Sequence, residues 1–199
     1  MPLGACEAMS VPPRSEEELM CAYVAGDRAA FSQLFDGLAP RLMSFFRRTV
    51  AQQAVAEDML QATFLRVHAA RESYRMGAPL RPWLFTIAAR VRIDELRRRY
   101  RLPASADAEE LERIADSESS PDPGESIDQS ARDLSVRRAI DRLPASQRTV
   151  VHLHRFEGMT FGEIGQVLGA KEGAVRIRAF RAYATLREQL KPLVQEQEP

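Results

Sequence analysis

The chain has 199 residues, of which 45% are hydrophobic and 28% charged, enough for one medium-sized or two small soluble domains. No apolar run approaches the roughly 18 to 20 residues that span a bilayer, and the N-terminus lacks the pattern of a secretion signal. The two cysteines, Cys6 and Cys21, have neither CxxC spacing nor a nearby histidine, which argues against a disulfide framework or a zinc site. We therefore expect a cytoplasmic protein with no membrane insertion, no metal and no cofactor.

The formal net charge is zero, but the charged residues are strongly segregated. Residues 41–101 carry a net charge of +8 and residues 136–191 carry +6, whereas residues 102–135 between them carry −8. Charge blocked in this way indicates segments with different partners. The pattern predicts two modules that bind nucleic acid, joined by an acidic tether.

After a disordered lead-in over residues 1–14, the first module is predicted to be a helical bundle over residues 15–101. Residues 16–50 have apolar side chains at helical spacing, and Pro40 should kink or split that segment. A second helix is expected over 54–69. A loop follows, and a third helix then starts near Pro82, a favourable first-turn position for proline.

Residues 102–130 are rich in Asp, Glu, Ser, Ala and Pro and have few bulky apolar side chains. Such a segment cannot bury enough surface to offset its ordering entropy, so it is predicted to be a flexible acidic linker, with at most a transient turn near 111–114. No segment of the chain alternates with period two. The fold class is therefore all-α, with two small helical domains.

The second module, residues 131–191, is predicted to contain four helices, followed by a tail over 192–199. The third helix opens on a capping box, Thr160 to Glu163, and a turn containing Gly169 leads to a longer basic helix that buries Phe180 or nearly so. A short helix, a glycine turn and a longer basic helix make a helix-turn-helix.

Cationic side chains cluster in and beside the first turns of that last helix, where recognition helices contact bases and phosphates. The cluster is Lys171, Arg176, Arg178 and Arg181. The competing interpretation is a solvated basic helix face, and the capping box with the glycine turn favours DNA binding.

The first module combines arginines with aromatic residues, a composition that suits single-stranded nucleic acid. The candidate nucleic-acid contacts, which the resemblance described below implies are contacts to a −10 element, are Tyr74, Arg75, Arg81, Arg90, Arg97 and Arg98. Trp83 at the start of the third helix is more typical of a core residue than of a stacking platform. No catalytic residues are predicted, because the histidines are scattered and no phosphate-binding glycine loop is present, so an enzyme is not expected.

Three motifs together resemble the extracytoplasmic-function (ECF) group of bacterial RNA polymerase sigma factors, over about residues 16–190. AVAEDMLQATFLRVH (54–68) is similar to the family's core-polymerase-binding helix, and PWLFTIAARVRIDELRRRYR (82–101) to the helix that engages the −10 element. LPASQRTVVHLHRFEGMTFGEIGQVLGAKEGAVRIRAFRAYATLR (143–187) resembles the domain that reads the −35 element. The resemblance implies a non-enzymatic subunit whose partners are core RNA polymerase, promoter DNA and an anti-sigma factor.

The same resemblance implies roles at matching positions. The polymerase-docking residues would be Glu57, Asp58, Gln61 and Leu65. The loop 71–81 would capture a flipped −10 base. The −35 contacts would be Lys171, Arg176, Arg178, Phe180 and Arg181.

The chain departs from the family's usual residues at His68, Val91, Ala174 and Ile177. Ile177 stands where the family often has serine; it removes a polar contact to a base, although it could touch a thymine methyl group. Two other classes of function remain open from the residues: a stand-alone helix-turn-helix regulator, which would not bind core polymerase, and a sigma-like decoy that sequesters an inhibitor.

Overall fold

The computed structural model describes residues 14–48, 50, 52–103 and 131–195. The described N-terminal part contains helices α1 (Glu16–Val24), α2 (Arg28–Arg47), α3 (Gln53–Ala70) and α4 (Leu80–Tyr100), with a 3-10 turn at Arg71–Ser73. The C-terminal part contains α5 (Ala131–Asp141), α6 (Ala145–Val151), α7 (Phe161–Leu168) and α8 (Glu172–Gln195). A π-helical turn, His152–Phe156, continues α6. The described residues form no strand, which confirms the predicted all-α fold.

Local capping sets the boundary between α1 and α2. The Ser15 hydroxyl accepts a hydrogen bond from the Glu18 amide at 3.1 Å, and the Asp27 carboxylate accepts one from the Ala29 amide at 2.9 Å. Between these caps Gly26 adopts a φ of 103°, a left-handed conformation that ends α1. Pro40 lies on the exposed side within a continuous α2. The predicted alternative of a helix split at Pro40 is therefore wrong. The break between α1 and α2 lies about thirteen residues before Pro40.

The N-terminal helices enclose an aromatic and aliphatic core. Phe45 and Phe46 of α2 and Phe85 of α4 are fully buried, and the Phe45 ring meets the Phe85 ring edge to face at 5.4 Å. In the C-terminal module α5, α6 and α8 enclose a smaller cluster, built from Ala139, Ile140, Leu143, Val151, Ala182 and Leu186. The predicted linker and N-terminal lead-in lie almost entirely outside the described residues, whereas α8 continues to Gln195, into the segment predicted to be a C-terminal tail.

The two modules pack against each other, which the sequence analysis did not foresee. Helix α7 lies along α4, and one continuous apolar cluster includes residues of both modules. The His152 ring lies 5.8 Å from the Phe45 ring and 6.4 Å from the Phe85 ring. In this conformation the modules therefore form a closed pair around a shared core.

Two ion pairs border that shared core. Arg41 donates to the Glu157 carboxylate at 3.2 Å, and Arg48 donates to Asp141 at 3.4 Å. The Glu157 side chain is almost fully buried, and this burial raises its pKa, opposed by the hydrogen bond from Arg41. Burial likewise raises the pKa of Asp141, and the Arg48 guanidinium opposes that effect. The module interface thus holds partly desolvated charges that stay paired.

Candidate polymerase- and DNA-binding surfaces

Helix α3 presents a narrow acidic face to solvent. At 100° per residue the four predicted docking residues fall within about 100° of one another, and all four are exposed: Glu57, Asp58, Gln61 and Leu65. Leu65 is 70% exposed and adds a large apolar side chain to this otherwise polar face. The structure therefore brings the predicted polymerase-docking residues together on one surface, the α3 face.

Aromatic packing beneath the α3 face fixes the orientation of the helix. Phe64 is buried, and its ring lies 6.0 Å from the Phe31 ring and 4.7 Å from the Phe35 ring, both on α2. His68, one turn further along, forms a hydrogen bond between its Nδ1 and the Tyr23 hydroxyl at 2.5 Å. Because these contacts hold α3 from behind, the α3 face is presented on a rigid support.

The loop before α4 is anchored by Tyr74. The Tyr74 ring is buried, meets the Trp83 ring at 5.4 Å, and its hydroxyl donates a hydrogen bond to the Ala78 carbonyl. Burial raises the pKa of the Tyr74 hydroxyl. Arg75 and Met76 are exposed at the loop tip. In this conformation Tyr74 is a packing residue, and its contact with a −10 base stays a prediction.

Arg81 connects three parts of the chain. Its guanidinium donates to both carboxylate oxygens of Glu16, at 2.9 Å each, and to the Glu157 carbonyl at 3.3 Å. The hydrogen bonds to Glu16 raise the pKa of Arg81. Arg81 thus joins α1, α4 and the C-terminal module, and DNA could reach it only if these bonds are exchanged.

The arginines of α4 divide into exposed and buried groups. Arg90 is exposed, and Arg98 is exposed while donating twice to Glu95 at 2.8 Å. Arg97 is half-buried. Arg92, between the exposed Arg90 and the half-buried Arg97, is fully buried. Its position one turn after Ala88, itself buried, was the available signal that it faces inward.

The helix-turn-helix has the predicted local chemistry. The Thr160 hydroxyl accepts from the Glu163 amide at 3.3 Å, and Glu163 accepts from the Thr160 amide at 2.8 Å. Gly169 closes α7 with a φ of 64°. A Cβ atom on Gly165 would lie 2.7 Å from the Ala170 carbonyl oxygen, so only glycine lets the turn fold back this closely.

Helix α8 turns a basic face toward solvent. Four of the five predicted −35 residues are exposed, namely Lys171, Arg176, Phe180 and Arg181. The fifth, Arg178, is half-buried. Phe180 is 76% exposed, so its expected inward packing is wrong. Its contact with −35 DNA stays a prediction. Arg176 donates to Glu172 at 2.6 Å, and its guanidinium lies 5.3 Å from the centre of the Phe161 ring.

The described residues contain no group of three or more acidic, cysteine or histidine side chains arranged to hold a metal ion. Among the same residues, no helix is both long and apolar enough to cross a membrane.

Comparison with protein families assigns both modules. Residues 34–102 match the family model of Sigma-70 region 2, and residues 133–186 match that of Sigma-70, region 4. The two matches fall on the α3 and α4 surfaces and on the helix-turn-helix, respectively. The chain therefore belongs to the sigma-70 family of RNA polymerase sigma factors.

Curated relatives place the chain more narrowly. It is 40% identical over 169 residues to the RNA polymerase sigma factor CarQ of Myxococcus xanthus, covering 83% of this chain and 91% of CarQ. It is 34% identical over 188 residues to the ECF RNA polymerase sigma factor SigM of Mycobacterium tuberculosis (strain ATCC 25618 / H37Rv), covering 93% of this chain and 91% of SigM. The chain is an ECF sigma factor, a non-enzymatic subunit that directs RNA polymerase to promoters. A stand-alone regulator is thereby excluded.

Solved structures agree with the fold. The sigma factor RpoE, solved in complex with the anti-sigma factor NepR from Bartonella quintana, matches with a TM-score of 0.63 and 25% identity, covering 81% of this chain and 96% of RpoE. CnrH, solved with the cytosolic domain of CnrY, matches with a TM-score of 0.58 and 24% identity, covering 92% of this chain and 99% of CnrH. Both support the two-module helical architecture.

Proposed function

We propose a division of labour between the modules of this sigma factor. Residues 15–101 bind core RNA polymerase and the melted −10 element, residues 131–191 bind the duplex −35 element, and residues 102–130 form the acidic tether. The family matches at 34–102 and 133–186 lie within the two proposed modules and support their assignment. Residues 1–14 and 192–199 carry no assigned role.

The α3 face is the proposed polymerase-docking surface, and the observation that carries the proposal is the exposure of Leu65. A large aliphatic side chain on the same helix face as Glu57, Asp58 and Gln61 combines an apolar anchor with polar neighbours, the usual anatomy of a protein interface. A partner that buries Leu65 would present an apolar pocket with basic residues around it.

The proposed −10 surface lies on the loop tip and the solvent side of α4. Arg75, Arg90 and Arg98 are exposed there and can follow a single-stranded backbone. Tyr74, Arg81 and Arg97 belong to the same proposal, but Tyr74 and Arg81 are engaged inside the closed pair. Their contact with DNA therefore requires rearrangement of the loop and of the module interface.

We also infer that the closed pair opens on a promoter. The −10 and −35 elements are centred about 25 base pairs apart, or about 85 Å at 3.4 Å per base pair. In the closed pair α7 packs on α4 and α8 follows α7, so the recognition helix lies on the order of 20 Å from α4. The modules cannot reach both elements without separating.

Control by an anti-sigma factor is proposed from the related proteins. RpoE was solved with the anti-sigma factor NepR, and CnrH with the cytosolic domain of CnrY. We propose that this chain has such a partner and works in the bacterial cytoplasm, where RNA polymerase and DNA are located.

Binding of the full chain to core polymerase tests the docking surface. Leu65→Ala should weaken binding about tenfold, because the docked state loses most of a buried leucine side chain. Leu134→Ala, at a partly exposed aliphatic residue of α5, is the matched control and should bind like the wild type. Wild-type affinity for Leu65→Ala, measured by fluorescence anisotropy, would remove the α3 face from the proposal.

A further inference from the structure

Two large apolar side chains project into solvent from the middle of the basic face of α8. Ile177 is 55% exposed and Phe180 is 76% exposed. The inward side of the helix is marked by the buried residues Val175 and Ala179. At about 100° per residue, Ile177 lies about 160° around the helix axis from Val175 and from Ala179, so its side chain points away from the core.

Ile177 and Phe180 together form an apolar crest on α8, and cations border it. Arg176 and Arg181 are both exposed, and they lie on opposite flanks of Ile177 around the helix axis. Glu172, the acidic residue at the start of the same helix, accepts a hydrogen bond from Arg176 at 2.6 Å. The crest therefore joins an apolar centre to a positively charged rim.

Small residues precede and follow the crest. Gly173 is exposed, and a Cβ atom there would meet no other atom within 4 Å; Ala184 is also exposed. With small residues at both ends of this stretch, Ile177 and Phe180 are the large apolar side chains that a surface approaching this side of the helix would meet.

The positive charge of Arg176 and Arg181 indicates which ligand fits this surface. A polyanion with apolar groups between two rows of phosphates matches a cationic rim around an apolar centre, and the major groove of DNA has this form. The apolar group that bases expose there is the C5-methyl of thymine. Neither Ile177 nor Phe180 can donate or accept a hydrogen bond to the other base edges.

We propose that Ile177 and Phe180 read thymine by contacting C5-methyl groups in the major groove of the −35 duplex. This inference rests on the proposed function of α8 and adds to it a determinant of sequence preference. The flanking arginines hold phosphates or guanines, and the apolar pair favours thymine at the positions that face the crest.

The test removes the methyl and leaves the hydrogen-bonding edge intact. Duplexes are selected from a random-sequence pool by the full chain bound to core polymerase, and each thymine of the selected −35 element is then replaced by deoxyuridine. Loss of one buried methyl should weaken binding about fourfold, and only at the positions that face the crest.

Variants assign the effect to the crest. In Ile177→Ala and Phe180→Ala the ratio of thymine to deoxyuridine affinity should fall toward one at one or two positions, while phosphate contacts remain. Both side chains are exposed, so these substitutions leave the fold intact. Val136→Ala, at a partly exposed residue of α5, is the matched control and should keep the wild-type ratio.

The outcomes separate the inference from the function on which it rests. If no duplex is selected, the proposed −35 function fails and the inference fails with it. If duplexes are selected but deoxyuridine binds as well as thymine, the function stands and the inference is overturned. A third outcome would also overturn the inference. If deoxyuridine and thymine duplexes bind equally and Ile177→Ala loses self-association measured by sedimentation, the crest contacts a second copy of the chain.

Discussion

Replacing His152 with phenylalanine should remove a defined part of the pH dependence of stability. The imidazole is buried at the module interface, where neither ring nitrogen has a hydrogen-bond partner among the described residues. Burial lowers the pKa of His152 to about 3, and the Arg48 guanidinium adds to this effect. Glu157 Oε1 lies 3.6 Å from Nε2, beyond hydrogen-bond distance, and Glu157 is paired with Arg41 instead.

The sign and size of the effect follow from linkage. The unfolded chain takes up a proton on His152 near its ordinary pKa of about 6.5, whereas the folded chain resists it, so stability falls as the pH drops from about 6.5 toward 3. Between about pH 7.5 and about pH 5 the loss is about 2 kcal/mol. The raised pKa values of Glu157 and Asp141 act in the opposite direction, since the stability they contribute is lost as the pH rises.

Urea unfolding of the wild type and of His152→Phe over that pH range measures the difference. Glu157 and Asp141 are present in both proteins, so subtracting one curve from the other isolates His152. When the pH is lowered from about 7.5 to about 5, the free energy of unfolding of the wild type should fall by about 2 kcal/mol more than that of the variant. If the phenylalanine variant does not fold, His152→Leu serves the same purpose. Parallel curves would refute a neutral, buried His152.

Three further substitutions test local geometry. Gly165→Ala should lower the free energy of unfolding by about 1 to 3 kcal/mol in urea, since its Cβ would lie 2.7 Å from the Ala170 carbonyl oxygen. Gly162→Ala on the same helix, where the nearest side-chain atom is 3.5 Å away, is the control and should change stability far less. Arg101→Gly should raise the thermal midpoint, adding about 0.5 to 1 kcal/mol, because Arg101 has a φ of 51° at the end of α4. Thr160→Ala should lose about 1 kcal/mol of helix-capping energy, and an unchanged midpoint would contradict the capping role.

Elements with strong local signals were predictable from the sequence. The capping box at Thr160 and the turn at Gly169 located the helix-turn-helix, because each residue type is needed for one specific backbone geometry. The break before α2 was misplaced because Pro40 is a stronger sequence signal than Gly26, although an exposed proline can be accommodated within a helix. Phe180 was expected to pack inward, since a large aromatic residue usually does, but the structure leaves 76% of it exposed. Exposed aromatic residues that break the usual pattern are candidates for a functional contact.

The module interface could not be predicted from periodicity. His152, Phe45 and Phe85 are all buried, and inward-facing positions do not distinguish a core within one module from a core shared by two. Arg81 was expected to be a DNA contact, but the structure pairs it with Glu16, a residue 65 positions earlier in the chain. Contacts of that range depend on the tertiary arrangement, which composition and spacing do not encode.

Transcription with purified components tests promoter-directed initiation most directly. The full chain is added to core RNA polymerase on a genomic library of promoter fragments, and transcript start sites are mapped by run-off analysis. Discrete start sites should appear that need both the chain and the polymerase. Leu65→Ala and Arg176→Ala should reduce transcription from those sites, the first by weaker polymerase binding and the second by weaker −35 binding. Start sites identical to those of core polymerase without the chain would contradict promoter-directed initiation.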